Sequence, residues 1–194
     1  MILKATINEV LRAAMYPPSP PVEVERAILA RLPRSTPEAI ILKGVRRSGK
    51  STLMLQCMRS LHDTVFCNFE DTRLFGFSAE DFPRFIDCAE SATKGPANFF
   101  LDEIQEIEQW ELLVRALLDR GHRVWATGSN ASLLSREVGA KLTGRHQSFS
   151  IYPFGYGEYL RFRVEKAGPE SFDSFLRDGG FPAFLEYGDP IRLQ

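Results

Sequence analysis

The sequence predicts an α/β fold: a parallel five-stranded sheet with helices on both faces. Three observations carry this. Short apolar or β-branched runs alternate with helical stretches between residues 39 and 152, the pattern of strands joined by crossover connections. The first run, Ala39-Ile40-Ile41-Leu42, leads directly into Gly44-Val45-Arg46-Arg47-Ser48-Gly49-Lys50-Ser51, which fits G-x-x-x-x-G-K-[ST]. A later run, Phe99-Phe100-Leu101, ends in two carboxylates, Asp102 and Glu103.

Taken in order, Ile2 to Met15 has apolar residues at helical spacing and stops at the proline-rich run Tyr16 to Pro21. The opening helix is therefore expected to be tethered rather than integral, docked on the domain or on a partner. Val22 to Leu32 predicts a second amphipathic helix. Ala39 to Leu42 is the first strand. Ser51 to Met58 opens the helix behind the glycine loop. Thr64 to Phe69, β-branched and aromatic, is the second strand. Ser78 to Thr93 predicts a helix with Ser78 as N-cap and Asp81 at N3. Asn98 to Leu101 is the third strand. Gln105 to Arg120 reads as one long helix, with Trp110, Leu113, Val114, Leu117 and Leu118 at core spacing and Gly121 as C-cap. His122 to Ala126 is the fourth strand, Ala131 to Val138 a short helix, and His146 to Tyr152 the fifth strand.

The glycine loop implies phosphate chemistry. Gly44 and Gly49 allow a tight turn and close backbone approach. The loop N–H groups, from Gly44 through Ser51 and Thr52, then converge on an anion at a helix N-terminus. Lys50 adds a point charge for β- and γ-phosphates, and the Ser51 hydroxyl is placed to ligate Mg²⁺. Asp102, at the carboxyl end of an apolar strand, would share that metal. Glu103 would orient or deprotonate an attacking water. A kinase that excludes water has less use for this second acid. Ser129 and Asn130, after the fourth strand, are candidates to sense the γ-phosphate or the water. Either could equally start the next helix as an N-cap, and the two roles are compatible.

Bulk properties bound the rest. The chain has 194 residues and a net charge of −1, which does not support a nucleic-acid binder. Charge is uneven: residues 1–50 carry nine Lys/Arg against four Asp/Glu, and residues 51–120 carry six against thirteen. Cys57, Cys67 and Cys88, odd in number and widely spaced, argue against disulfides and a zinc site. Cys57 and Cys67 lie in apolar contexts and are expected in the core. No apolar run is long enough to span a membrane, and no secretory leader is evident, so a cytoplasmic location is expected.

Several motifs in order resemble one family. They are Gly44–Ser51, Leu101-Asp102-Glu103-Ile104-Gln105, Trp110-Glu111, Thr127-Gly128-Ser129-Asn130, Leu133-Leu134-Ser135, Leu142-Thr143-Gly144-Arg145, Tyr152-Pro153-Phe154-Gly155-Tyr156-Gly157-Glu158-Tyr159 and Gly179-Gly180-Phe181-Pro182. Together they are similar to prokaryotic AAA+-type P-loop ATPases whose full-length members carry a nuclease-like C-terminal domain of unsettled function. The resemblance covers about residues 22–190. Val45 and Ser51 replace the family's usual proline and threonine; serine keeps the metal-ligating hydroxyl.

The resemblance implies strand order 5-1-4-3-2. It implies a phosphate-sensing arginine or arginine finger at Arg145, against the alternative of a surface arginine paired with a neighbouring acid. It also implies the start of a small helical lid at Tyr152. The expected organisation is an N-terminal helix and linker (1–21), an ATPase core (22–152) and a partial lid (153–194). The similar proteins continue into further lid helices and the C-terminal domain, so a fragment, a truncated product or a minimal version is expected.

The function expected is binding of ATP with Mg²⁺ and its hydrolysis, coupling nucleotide state to conformational change. The alternatives are a nucleotide-dependent binding module with little hydrolysis, or a small-molecule kinase. A homo-oligomer, an unknown protein partner and DNA are the partners considered.

Overall fold

The structure, a computed structural model, describes residues 1–13, 24–33, 35–93, 95–129, 142 and 144–187. Five strands form one sheet: β1 (Ala39–Lys43), β2 (Thr64–Asn68), β3 (Asn98–Asp102), β4 (Arg123–Gly128) and β5 (His146–Ser150). The order is β2-β3-β4-β1-β5, which is the expected order read from the other edge. All four pairings are parallel, with Ile41 opposite both Ala126 and Ser148, and Leu101 opposite both Cys67 and Ala126.

Burial explains the order. β3 is buried along its whole length, and β1 and β4 over all but one residue each. These are the continuously apolar strands, as a sheet covered on both faces requires. β2 alternates between buried and half-buried residues, and β5 is half-buried or exposed throughout, which suits the two edges.

Alternate residues of each central strand feed two separate cores. Ile41, Phe99, Leu101, Val124 and Ala126 face a core shared with α3 (Phe82–Ala92) and α4 (Trp110–Asp119). Ile40, Leu42, Phe100 and Trp125 face the other, closed by Leu53, Met54 and Cys57 of α2 (Lys50–Met58). Phe100 and Trp125 stack there at 5.6 Å. All three cysteines are free and buried; burial pushes the Cys57 thiol up to about 12 and raises Cys67 as well. Both behave as core residues.

Three expectations change. The opening helix α1 (Lys4–Ala13) is part of the core: Ile7, Val10 and Leu11 are buried in the α3–α4 cluster. Its entry is tied down by the Ile2 N–H donating to Asp81 Oδ1 at 2.7 Å and by Arg84 donating to the Ile2 carbonyl at 2.7 Å. The proline-rich linker lies outside the described residues.

The second change concerns the run before β1. It is no amphipathic α-helix; Ala27–Arg31 forms a 3₁₀ turn and the described residues ahead of it carry no helix. Side chains take the backbone bonds that a helix would use. Gln56 accepts from the Arg26 N–H and donates to the Val24 carbonyl, and Glu158 accepts from the Ala27 N–H.

The third is that Gln105 to Arg120 is not one helix. A 3₁₀ turn at Ile104–Glu106 and a left-handed Gln109 (φ 57°) precede α4. The 78–93 stretch likewise opens with a 3₁₀ turn, in which the Ser78 N–H donates to Asp81 Oδ2 at 3.2 Å, before α3 starts at Phe82 with Pro83 in its first turn. The helix expected over 131–138 lies outside the described residues.

Beyond β5 come α5 (Tyr156–Arg163), α6 (Pro169–Asp178) and α7 (Pro182–Tyr187). They build a third apolar cluster around Val24, Phe154, Tyr159 and Leu185. Gly180 closes it: its carbonyl accepts the Phe154 N–H at 2.7 Å, and a Cβ there would lie 2.1 Å from the Phe154 oxygen. None of the described helices is long and apolar enough to cross a membrane. Gly180→Ala should destabilise this cluster by about 1–3 kcal/mol, as overpacked sites do. Urea unfolding followed by tryptophan-independent circular dichroism would read the shift in midpoint.

Candidate functional site

Three neighbouring strands deliver the chemistry to one end of the sheet. β1, β4 and β3 lie side by side, so their carboxyl ends emerge about 5 Å apart. β1 runs into the glycine loop, β3 into Asp102-Glu103, and β4 into Thr127-Gly128-Ser129.

The loop's two glycines are needed for different reasons. A Cβ on Gly44 would lie 2.2 Å from the Ile151 carbonyl oxygen, so nothing larger fits beside the end of β5. Gly49 has φ +89° and precedes α2, whose first residue is Lys50. Arg47 also takes a left-handed conformation (φ 64°). Arg46 reaches Glu70 at 3.4 Å across the surface, and Val45 is exposed. The buried Ser48 hydroxyl has no hydrogen-bond partner among the described residues.

Lys50 is 4% exposed, and its ammonium donates to the Val45 carbonyl at 3.0 Å. Burial pulls its pKa down from the ordinary lysine value, partly opposed by the charges of Glu103 and Asp102. Ser51 Oγ donates to Asp102 Oδ1 at 3.1 Å. The Thr127 hydroxyl donates to the same oxygen. Thus one buried carboxylate joins all three strand ends. Burial pushes the Asp102 carboxyl above the usual range, while the Thr127 and Ser51 hydrogen bonds oppose the shift.

Glu103 sits at φ 50°, a left-handed position that turns its side chain out of the strand direction. Its N–H donates to Thr127 Oγ1 at 3.1 Å. Its carboxylate accepts from Gln105 Nε2 at 2.7 Å and from Ser129 Oγ at 3.3 Å. Ser129 is therefore beside Glu103, whereas Asn130 lies outside the described residues. Thr52 is half-buried and lines the cleft beside the loop.

Arg145 is not brought to this cluster in its own chain. Its carbonyl accepts the N–H of Ala39, the first residue of β1, and its guanidinium pairs with Asp119 at 2.5 Å. At ~3.3 Å per strand residue, that places it roughly 15 Å from the loop at the opposite end of the sheet. The paired surface arginine is the arrangement present.

Two residues went unrecognised in the sequence. Thr127 opens the Thr127–Asn130 motif, and its hydroxyl bridges Asp102 and the Glu103 backbone. Arg26 lies in the stretch assigned to a helix and is 5% exposed. It donates to the Ser48 carbonyl at 2.9 Å, to the Tyr152 carbonyl at 2.6 Å and to Glu158 at 3.0 Å. The signal for it was the alternation of Val22, Glu23, Val24 and Glu25, a period of two rather than 3.6.

A cleft of about 260 Å³ opens from the loop. Its lining is both polar, with Lys50, Ser51 and Glu103, and apolar, with Val24, Phe154 and Pro182. Such a cleft suits a ligand with an anionic tail and a flat apolar head.

The sheet order, the glycine loop after β1 and the acidic end of β3 define a P-loop nucleoside triphosphatase domain of the AAA+ class. The chain belongs to the AAA domain family, whose model matches residues 36–160. It is 34% identical over 155 residues to an uncharacterised protein of Methanocaldococcus jannaschii, covering 73% of this chain and 35% of that one. It is 30% identical over 165 residues to an uncharacterised protein of Haemophilus influenzae, covering 78% and 41%. The chain thus spans well under half the length of these curated relatives.

Among solved structures, AMPPCP-bound DnaA of Aquifex aeolicus aligns with a TM-score of 0.53 at 13% identity, over 86% of this chain and 57% of that one. A signal transduction ATPase with numerous domains and a tetratricopeptide repeat sensor, from Pyrococcus horikoshii, aligns with a TM-score of 0.54 at 18% identity, over 86% and 30%. At these identities the likeness shows the fold.

Because burial raises the Asp102 pKa, its contribution to stability is present at low pH and is lost as pH rises through the folded value. At neutral pH the charged form is a net burden on the fold. Asp102→Asn should therefore melt higher than the natural chain at pH 7, with the gap closing towards pH 3. Calorimetry across that range checks the sign.

Proposed function

We propose that this chain binds ATP with Mg²⁺ at the loop of residues 44–51 and hydrolyses it, with Glu103 acting on the attacking water. The observation that carries this reading is the meeting of Ser51, Asp102 and Thr127 at one carboxylate oxygen, immediately beside Lys50. A buried carboxylate with two hydroxyl partners and an adjacent ammonium is costly to the fold, and phosphate chemistry gives it a use.

The residues present fit both groups. For the phosphates, the buried Ser48 hydroxyl has no partner among the described residues, and Gly44 and Gly49 let the loop pack against Ile151 and Arg26 where a Cβ would clash. For the metal, no group of three or more His, Cys, Asp or Glu that could hold an ion exists among the described residues. One carboxylate and one hydroxyl suit Mg²⁺, which keeps water and phosphate oxygens as further ligands. When bound, that ion would neutralise charge on the phosphate oxygens, with Ser51 and Asp102 as its protein ligands. Lys50 would leave the Val45 carbonyl to meet the β- and γ-phosphates. Glu103 would accept the proton of the attacking water, and Ser129, already bonded to it, would orient that carboxylate.

Asn130 is proposed as a second polar group at the γ-phosphate. Arg145, at the far end of its own sheet and paired there with Asp119, is proposed to act at the loop of a neighbouring copy in a homo-oligomer. A net charge of −1 lends DNA no support as a partner.

One observation favours the binding-module reading as the runner-up. Glu103 is held by both Gln105 and Ser129, so its carboxylate is restrained in this state.

Lys50→Ala should weaken ATP binding at least tenfold, measured by titration calorimetry; unchanged affinity would remove the loop from the phosphate site. Glu103→Gln should keep ATP affinity while phosphate release falls about 10²-fold or more, the scale of losing a general base. Release at the natural rate would show that Glu103 does not act on the water. Tight ATP binding by the natural chain with no phosphate release would favour the module.

A further inference from the structure

Arg26 is a charged side chain buried where three separate segments of the chain meet. Its Nη1 donates to the Ser48 carbonyl of the glycine loop at 2.9 Å. Its Nη2 donates to the Tyr152 carbonyl at the end of the sheet at 2.6 Å. Its Nε donates to Glu158 Oε1, on α5, at 3.0 Å. The guanidinium also lies 5.1 Å from the centre of the Phe154 ring. Glu158 is itself fully engaged: it accepts the Ala27 N–H at 2.8 Å and the Gly155 N–H at 3.0 Å.

Two geometric consequences follow. In a planar trans peptide the carbonyl and the N–H point in opposite directions. Holding the Ser48 oxygen on Arg26 therefore fixes the plane of the Ser48–Gly49 peptide, with the Gly49 N–H pointing away from Arg26. Gly49 is also required by this contact, since a Cβ there would lie 2.9 Å from Arg26 Nη1. At the same time, the fork shape of the guanidinium lets one residue hold the loop and α5 together. A lysine has a single ammonium and could not span the Ser48, Tyr152 and Glu158 oxygens in these directions.

We propose that Arg26 is a positioning residue that couples the phosphate loop to α5, so that ordering the loop around a triphosphate and seating α5 are one event. The Arg26–Glu158 pair is the coupling element. This rests on the nucleotide reading above, and it adds a route by which occupancy of the loop is felt by the helices after β5. It also explains why a buried ion pair is kept beside the cleft, where an apolar pair of similar volume would suit packing alone.

The test uses the full chain and amide hydrogen exchange with and without ATP and Mg²⁺, alongside affinities for ATP and adenosine. In the natural chain, ATP should slow exchange both in residues 44–52 and in residues 153–163, and adenosine should slow neither. Glu158→Gln should keep the ATP effect on 44–52 and lose it on 153–163. Arg26→Ala should bind ATP at least tenfold more weakly, with a smaller change for adenosine. Free guanidinium at about 10 mM should recover part of that loss by filling the vacated position, and Arg26→Lys should not restore it.

If ATP still slows 153–163 in Glu158→Gln, the coupling is wrong. Equal losses of ATP and adenosine in Arg26→Ala, with no recovery by guanidinium, would reduce Arg26 to a structural residue. Should Arg26→Ala fail to fold, Glu158→Gln and Arg26→Lys decide the matter by the same readouts. Failure of the natural chain to bind ATP overturns the nucleotide reading and this coupling together; binding with protection confined to 44–52 overturns the coupling alone.

Discussion

The structure turns on a carboxylate that is almost wholly buried. Asp102 ends a fully buried strand and is 3% exposed. Such a group is tolerable only if it is given donors, and the donors come from the two strands that must stand nearby, Ser51 behind β1 and Thr127 at the end of β4. Placing β4 between β1 and β3 is what makes this meeting geometrically natural. The same arrangement brings the glycine loop beside the acidic strand end, so the requirement of the fold and that of the site coincide.

Around this point the molecule is built in two layers of restraint. The inner layer is rigid. The central strands are packed on both faces by separate apolar cores, and close packing of those side chains holds them in place. The outer layer is polar and specific. Gln56 pairs with the backbone around Arg26, Glu158 closes the start of α5, and Arg26 joins both to the glycine loop. A third apolar cluster sits on this polar frame and lines the far end of the cleft. The cleft is thus bounded on one side by the sheet and on the other by helices whose attachment passes through a few hydrogen bonds.

Much of this was legible in the residues. Parallel strands buried on both faces have a signature that needs no context, and all five appeared with ends shifted by one or two residues. The glycine loop was equally plain, because its spacing follows from backbone geometry that few other residues tolerate. The misread segments share one cause. Residues 22–32 and 105–109 were read as helical, but backbone groups of Val24, Arg26 and Ala27 are taken by distant side chains, and a left-handed residue, Gln109, stands ahead of α4. Local periodicity cannot report a bond to Glu158, which lies more than a hundred residues away. For the same reason the spacing of residues 22–32 gave no sign of the contacts that Arg26 makes.

By itself, then, the sequence determined the fold class, the strands, the glycine loop and the acidic strand end, because each rests on short-range steric or hydrophobic rules. Only the tertiary structure decided which hydroxyls meet Asp102, that α1 belongs to the core, that Arg145 stands at the far end of the sheet, and that Arg26 joins the loop to α5. Those outcomes depend on which buried polar groups find partners, and the partners are chosen by the folding of the whole chain.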